Sequence, residues 1–336
     1  MTLEELTAFL SSLGLPSFRA KQVWQWLQQK GVSDFADMTN LSKDLRDKLD
    51  ETCLIPWCDI EKRSVSALDP TVKYLFRLHD GELIESVLMK YKYGYSLCVS
   101  TQVGCRMNCA FCATGKGGFI RNLSAGEILS QIHAAQRAEN VRVSHLVLMG
   151  MGEPFDNYDN VLRFLKLVND ESGLNIGMRN ISLSTCGVVP GIEKLEKENL
   201  QLTLSVSLHA PTDELRSSLM PINRKYPIAE LMRACRHYAD ATSRRISYEY
   251  TMLGGVNDSD ECAHALASLL KGTLSHINLI PANDVTESGL KSSSPERIKA
   301  FADILQRTGR TVTVRRSLGG DIDASCGQLR SKHIKA

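Results

Sequence analysis

Cys105, Cys109 and Cys112 share one short loop with C-x3-C-x2-C spacing, Cys105-Arg106-Met107-Asn108-Cys109-Ala110-Phe111-Cys112. A structural zinc site wants four closing ligands, usually as two separated pairs, and no second pair of that spacing is present. Three thiolates on one tight loop can instead hold three irons of a [4Fe–4S] cluster, leaving the fourth iron open to a small molecule. A ferredoxin that only carries electrons normally supplies a fourth cysteine, so the missing ligand favours catalysis at the open iron. Two further thiols, Cys98 on the segment entering the loop and Cys326 near the C-terminus, read by themselves as a core thiol and an ordinary thiol.

The elements that must position this loop follow from periodicity. The first ~55 residues predict a small helical module, with helices over Leu3–Leu13, Phe18–Lys30 and Leu41–Glu51, the last after an Asn40 cap. Val72 to Leu78 and Glu82 to Lys90 alternate with period two around His79-Asp80-Gly81, a hairpin signal. Beyond residue 95, strands are predicted at Leu97–Thr101, Ser144–Met149, Asn180–Thr185, Thr203–Leu208, Ile246–Thr251, His276–Ile280 and Thr311–Arg315, with helical patterns between them. Ser124 and Glu127 form a capping box before one of those helices. Such βα alternation predicts an α/β fold whose parallel sheet curls into a partial (βα)6-type barrel, with its site at the C-terminal strand ends. The expected organisation is a helical accessory domain over 1–60, a connecting β-hairpin over 61–90, a core barrel over 91–319 and a C-terminal segment over 320–336.

The loop, with an aromatic residue before its last cysteine and at the end of the first barrel strand, resembles the radical S-adenosylmethionine (SAM) superfamily. Six further segments sharpen that likeness: Leu97 to Cys105 (LCVSTQVGC), Met149 to Pro154 (MGMGEP), Leu183 to Gly187 (LSTCG), Ser205 to Pro211 (SVSLHAP), Asn278 to Asn283 (NLIPAN) and Gly320 to Leu329 (GDIDASCGQL). Together they resemble the RlmN family, whose members methylate C2 of adenine in 23S rRNA and tRNA. The likeness covers essentially the whole chain, including Phe18 to Gln22 and Met38 to Ser42 in the helical module. Gln102-Val103-Gly104 and Gly152-Glu153-Pro154 look more like this family than like the related Cfr-type enzymes, which methylate adenine C8. Pro281-Ala282-Asn283-Asp284 departs from many members while keeping Asn283.

The resemblance implies a division of labour. Cys105, Cys109 and Cys112 would hold the [4Fe–4S] cluster, and Gly152, Glu153, Ser184, Ser207, Leu208, His209 and Asn283 would contact SAM. Adenine C2 is an electron-poor amidine carbon that does not attack a methyl sulfonium, so the one-carbon unit must arrive as a radical. The family answer is a methyl carried on Cys326, accepted from one SAM by displacement and activated by hydrogen removal with a second. Cys98 would free the product by forming a disulfide with Cys326, and Glu85 would take the C2 proton. By itself Glu85 reads as a solvent-facing strand residue. Cys53, Cys58, Cys186, Cys235 and Cys262 have no assigned role.

Composition bounds the partners. A chain of 336 residues with 43% hydrophobic and 23% charged content can bury a large core, and no apolar run approaches the roughly 18 residues of a membrane span. Met1-Thr2-Leu3-Glu4-Glu5 places acids where a signal peptide needs bases, so a cytosolic, reducing location is expected, and ten cysteines need not be a disulfide scaffold. Residues 289–336 carry ten Lys/Arg against four acids in a chain of net +2. That asymmetry suits RNA or a solvated mixed-charge face equally. Candidate RNA contacts are Arg315, Arg316, Arg330, Arg19, Lys21, Lys116 and Arg121. 23S rRNA, tRNA, and an electron donor such as flavodoxin with its reductase are the implied partners of a monomer. The contrasting reading is an iron–sulfur or zinc protein that binds RNA without catalysis.

Overall fold

Thr2 opens the first helix of the computed structural model, which describes residues 1–282, 289–316 and 318–322. Its hydroxyl accepts from Glu5 N–H and the Glu5 carboxylate accepts from Thr2 N–H, a reciprocal cap on α1 (Leu3–Ser12). α2 (Ser17–Gln25) runs into one wider turn, Trp26–Lys30. α3 (Lys43–Thr52) starts after Ser42 rather than at the predicted Asn40 cap, because the Asn40 side chain is used elsewhere, accepting from the Trp26 indole N–H. The buried faces of these helices, including Leu6, Leu10, Val23, Trp24, Leu45 and Leu49, belong to the same apolar cluster as the barrel's outer residues. Module and barrel share one continuous hydrophobic layer.

The sheet begins with four antiparallel neighbours, β1 (Cys58–Val65), β2 (Thr71–Leu78), β3 (Leu83–Tyr91) and β4 (Gly94–Cys98). β2 and β3 match the predicted hairpin. β1 was not predicted, since seven of its eight residues are at least partly exposed and several are charged, the dress of a protected edge. β5 (Gln102–Gly104) and β6 (Phe119–Asn122) pair as a separate ribbon around the cysteine loop. The main sheet continues in parallel through β7 (Val143–Leu148), β8 (Ile181–Thr185), β9 (Thr203–Ser207), β10 (Ile246–Met252), β11 (Ser275–Pro281) and β12 (Val312–Val314). Its strand order, β1-β2-β3-β4-β7-β8-β9-β10-β11-β12, is that of an open, partial barrel flanked by an antiparallel extension.

The first barrel strand lies three residues earlier than the predicted Leu97–Thr101. Past Cys98 the backbone bends toward the next loop: Thr101 and Gln102 both donate to the Met151 carbonyl. Outside the strands pack α5 (Ala125–Glu139), α6 (Tyr158–Asn169), α7 (Val189–Lys197), α9 (Ile228–Thr242), α10 (Asp260–Leu269) and α11 (Pro295–Arg307). The short α4 (Ala113–Lys116) and α8 (Asp213–Leu219) sit at the mouth. α5 starts at the predicted Ser124–Glu127 capping box.

Alternation divides each strand between two environments. Ile181, Leu183, Leu204, Val206, Tyr248, Tyr250, Ile277 and Leu279 lie in the outer apolar cluster. Their alternates, aligned by strand register, form polar rows across the interior: Ser184 beside Ser205 beside Ser247, and Ser207 beside Glu249 beside Asn278. No described helix is long and apolar enough to cross a membrane.

Gln131 on α5 is the bolt that holds β3 and the exit of β4 to the helix layer. Its buried amide oxygen accepts from Ser86 Oγ at 2.7 Å and Ser100 N–H at 2.9 Å, and its Nε2 donates to the Ser100 carbonyl at 2.9 Å. Gln131→Leu strips partners from buried groups and lowers stability by about 2–4 kcal/mol, to be read as a shift in the urea midpoint. An unchanged midpoint would show that Ser86 and Ser100 are held by other contacts.

Candidate active site

The cysteine loop leaves β5 through Gly104, whose φ of +77° and contact with the Gly118 carbonyl leave no room for a Cβ. Cys105 N–H then donates to that carbonyl at 2.8 Å, closing the base of the loop. At the far side Ala110 N–H donates to the Leu219 carbonyl at the end of α8, 2.8 Å away. Cys105 and Cys109 are buried and Cys112 half-buried, the last two among Leu219, Met220, Ala210, Leu253, Met107 and Phe111. Burial pushes the Cys105 thiol up to about 12 and raises the Cys109 thiol as well. Thiols as desolvated as Cys105 and Cys109 become thiolates only beside a strong cation, which is the donor chemistry of an iron–sulfur cluster. Among the described residues no three His, Cys, Asp or Glu side chains are placed to share a single metal ion. Three cysteine thiolates from one loop are the donor set that holds three irons of a [4Fe–4S] cluster, one thiolate to each iron.

The described members of the predicted SAM set follow or end β7, β8 and β9, and His209 meets the cysteine loop at Phe111. Gly152 adopts φ +107°, and a Cβ there would lie 2.7 Å from the Gln102 side chain, so the backbone after β7 can only approach as glycine. Glu153 was expected to contact SAM through its carboxylate. Part of that capacity is spent internally: its Oε1 accepts from Phe155 N–H at 3.0 Å and its Oε2 from Cys186 N–H at 2.7 Å. Burial raises its pKa despite these bonds. Ser184 and Ser207 lie in the polar interior rows, half-buried. Leu208 N–H and His209 N–H both donate to the Glu249 carbonyl. His209 Nδ1 accepts from Thr251 N–H at 2.9 Å, and its ring meets Phe111 of the cysteine loop edge-on at 4.6 Å. Burial first, and the nearby Arg216 charge second, push the imidazole down to about 3, so it is neutral, with its proton on Nε2.

Glu85 and Cys98 fall on one face of the sheet. Val87 pairs directly with Cys98 in the β3–β4 register, and Glu85 lies two residues along the same face. Glu85 is not solvent-facing: it is 1% exposed and ion-paired at 2.8 Å with Lys73 on β2, itself fully buried. Cys98 packs with Val87, Met89, Val147 and Met149, and Leu318 of the C-terminal region joins that group. Asp321 further fastens this region, accepting from Ser66 Oγ at 2.6 Å and Ala67 N–H at 2.7 Å. Cys326, Asn283 and Arg330 lie outside the described residues.

The proposed RNA contacts divide. Arg121 is committed to Asp80 and Glu127 at 2.6 and 2.8 Å. Arg19 bonds Gln22 and stacks on the exposed Phe18. Lys21, Lys116 and Arg316 are exposed and Arg315 half-buried. Three buried charges escaped the sequence reading. Lys73 was hidden within an apolar strand pattern. Glu249, 3% exposed, accepts from Ser247 Oγ at 2.9 Å and Asn278 Nδ2 at 2.7 Å. Its signal was available, because Ser247, Glu249 and Thr251 alternate with Tyr248 and Tyr250 on a strand that needs both faces covered. Arg216, also fully buried, donates to the carbonyls of Cys186, Ser207 and Leu208.

Known proteins resemble this arrangement throughout its length. The radical SAM superfamily profile matches residues 99–266, and the ribosomal RNA large subunit methyltransferase N-terminal domain matches residues 1–55. A probable dual-specificity RNA methyltransferase RlmN from Thermoanaerobacter sp. (strain X514) is 52% identical, the alignment covering 100% of this chain and 98% of that one. Its counterpart in Desulforamulus reducens is 54% identical, over 98% of this chain and 94% of that one. The crystal structure of a radical SAM methyltransferase from Sphaerobacter thermophilus superposes with a TM-score of 0.94 at 45% identity, covering 98% and 97% of the two chains. With the cysteine loop at the barrel mouth and these full-length likenesses together, the chain belongs to the RlmN family and is a radical SAM, SAM-dependent RNA methyltransferase.

Proposed function

We propose that this enzyme methylates C2 of adenine in 23S rRNA and in tRNA through a methyl group carried on Cys326, consuming two SAM molecules per turnover. The observation that carries this reading is the shared sheet face of Glu85 and Cys98, against which Leu318, eight residues before Cys326, also packs. The dual-specificity RNA methyltransferase names of the relatives and the ribosomal RNA large subunit methyltransferase profile at the N-terminus support a ribosomal RNA and a second RNA substrate.

The Cys326 thiolate displaces the methyl group of a first SAM, forming a C–S bond and releasing S-adenosylhomocysteine. Cys105, Cys109 and Cys112 would hold the cluster, and Gly152, Glu153, Ser184, Ser207 to His209 and Asn283 the second SAM. Cluster and SAM together supply, when bound, the one-electron chemistry that removes hydrogen from the carried methyl. Neutral His209, fixed by Thr251, would offer bound SAM an N–H donor rather than a positive charge. Glu85 takes the proton leaving C2, with the Lys73 ammonium stabilising the buried carboxylate before that transfer, and the one electron left on the adduct would pass to the cluster when bound. Cys98 then attacks the Cys326 sulfur. An S–S bond forms, the S–C bond breaks with its electron pair on the one-carbon unit, and protonation completes the new methyl. A thiol reductant restores both cysteines. An exposed Phe18 beside Arg19 offers the module a face for stacking and phosphate contact.

Mass spectrometry of nucleosides from treated 23S rRNA and tRNA is expected to show 2-methyladenosine. A product dominated by 8-methyladenosine would instead identify a Cfr-type activity. Cys98→Ala is expected to stall with the RNA covalently attached through Cys326, visible as a protein–RNA species on a denaturing gel; normal product release would remove its resolving role. Glu85→Gln keeps shape and is expected to cut turnover by about 10²- to 10⁴-fold with little change in RNA affinity. Wild-type turnover in that variant would return Glu85 to a purely structural place beside Lys73.

A further inference from the structure

Arg216 is 0% exposed, yet no carboxylate among the described residues pairs with it. Its acceptors are all neutral: the Leu208 carbonyl at 3.2 Å from Nε, Asn223 Oδ1 at 2.9 Å from Nη1, and the carbonyls of Cys186 and Ser207 at 2.7 and 3.1 Å from Nη2. Two acids reach it only through intermediaries: Asp213 Oδ1 accepts from Asn223 Nδ2 at 2.9 Å, and Glu153 Oε2 accepts from Cys186 N–H at 2.7 Å. Hydrogen bonds alone repay poorly the removal of a guanidinium from water; a buried cation calls for a buried anion.

The fold places one candidate anion next to it. Arg216 sits on α8, and the last residue of α8, Leu219, receives the Ala110 N–H from between Cys109 and Cys112. Leu219 and Met220 pack directly with Cys109 and Cys186. The guanidinium also bonds the Cys186 carbonyl, and the Cys186 side chain shares its apolar cluster with Cys109, so the guanidinium and the cysteine loop flank the same packed group. Other cations near the loop are unsuitable: Arg106 is 56% exposed and paired with Asp156, and Lys116 is exposed. A [4Fe–4S] cluster on three thiolates is anionic when oxidised and carries one more negative charge when reduced.

We infer that Arg216 is the internal counter-charge of the cluster, favouring its reduced state and raising its reduction potential. This rests on the assignment of Cys105, Cys109 and Cys112 as cluster ligands and adds a tuning residue to it. Charge near a cluster shifts its potential through Coulomb interaction, which is strong where water is excluded. The same side chain also ties the ends of β8 and β9 to α8, so its positional and electrostatic effects must be separated.

The test is a redox titration of the reconstituted cluster without SAM, followed by electron paramagnetic resonance, on wild type, Arg216→Lys, Arg216→Met and Arg216→Gln. Arg216→Lys keeps the charge but cannot serve four acceptors. It is expected to titrate near wild type. Either neutral variant is expected to lower the reduced-to-oxidised ratio at a fixed poise by about tenfold, equivalent to about 59 mV for one electron. Arg216→Gln, which still donates hydrogen bonds, serves if Arg216→Met fails to fold or to load. Equal potentials in wild type and a neutral variant would overturn the inference, as would an equal shift in the lysine and neutral variants. Wild-type protein that takes up no cluster iron would instead overturn the ligand assignment itself.

Discussion

The carboxylate of Glu153 holds the barrel mouth together. Buried and bonded to the backbone at Phe155 and Cys186, it joins the end of β7 to the end of β8. Its own N–H donates to Gln102 Oε1 at 2.8 Å, which carries the link to the strand entering the cysteine loop. The Cys186 carbonyl passes it on to Arg216, which reaches the end of β9. Four successive loops are thereby fixed by one continuous set of side-chain to backbone bonds. Because all of these bonds but the one to the Ser207 carbonyl are buried, losing a member leaves groups that water cannot satisfy. A site built on strand ends needs such cross-links, since neighbouring strands fix one another only within the sheet.

The same economy appears where the helical module meets the barrel. Leu6, Leu10, Val23 and Trp24 contribute to the cluster that runs on to Phe301 and Leu305. A module attached by its own separate core would move relative to the barrel; one sharing the core is held at a defined distance from the mouth. Exposed Phe18 and half-buried Arg19 are therefore carried at a fixed place on a rigid body.

The cysteine loop, the parallel strands and the capping box on α5 were legible because each rests on local spacing. What escaped depended on register or on burial from two sides. β3 is buried at seven consecutive positions, covered by α5 outside and by barrel contents inside, so alternation could not assign Glu85 to a face. Its partner Lys73 lies twelve residues away and becomes a neighbour only through the β2–β3 pairing. Arg216 looked like any arginine on a short amphipathic helix, and only the approach of Cys186 and Ser207 reveals its burial. β1 failed the strand test because an edge strand is selected for charge.

The polar rows inside the barrel, from Ser184 across to Ser247 and from Ser207 across to Asn278, bear on how such a fold can change. A closed barrel is filled by packed aliphatic layers, so altering its interior disturbs folding. Here the outer shell of Leu183, Val206, Tyr248, Leu279 and their helices carries the apolar packing, and the lining contributes little of it. Cohesion and recognition are thus assigned to opposite faces of the same strands. Alternate residues answer to different selective demands, and the lining is free to be rewritten for another substrate while the shell stays as it is.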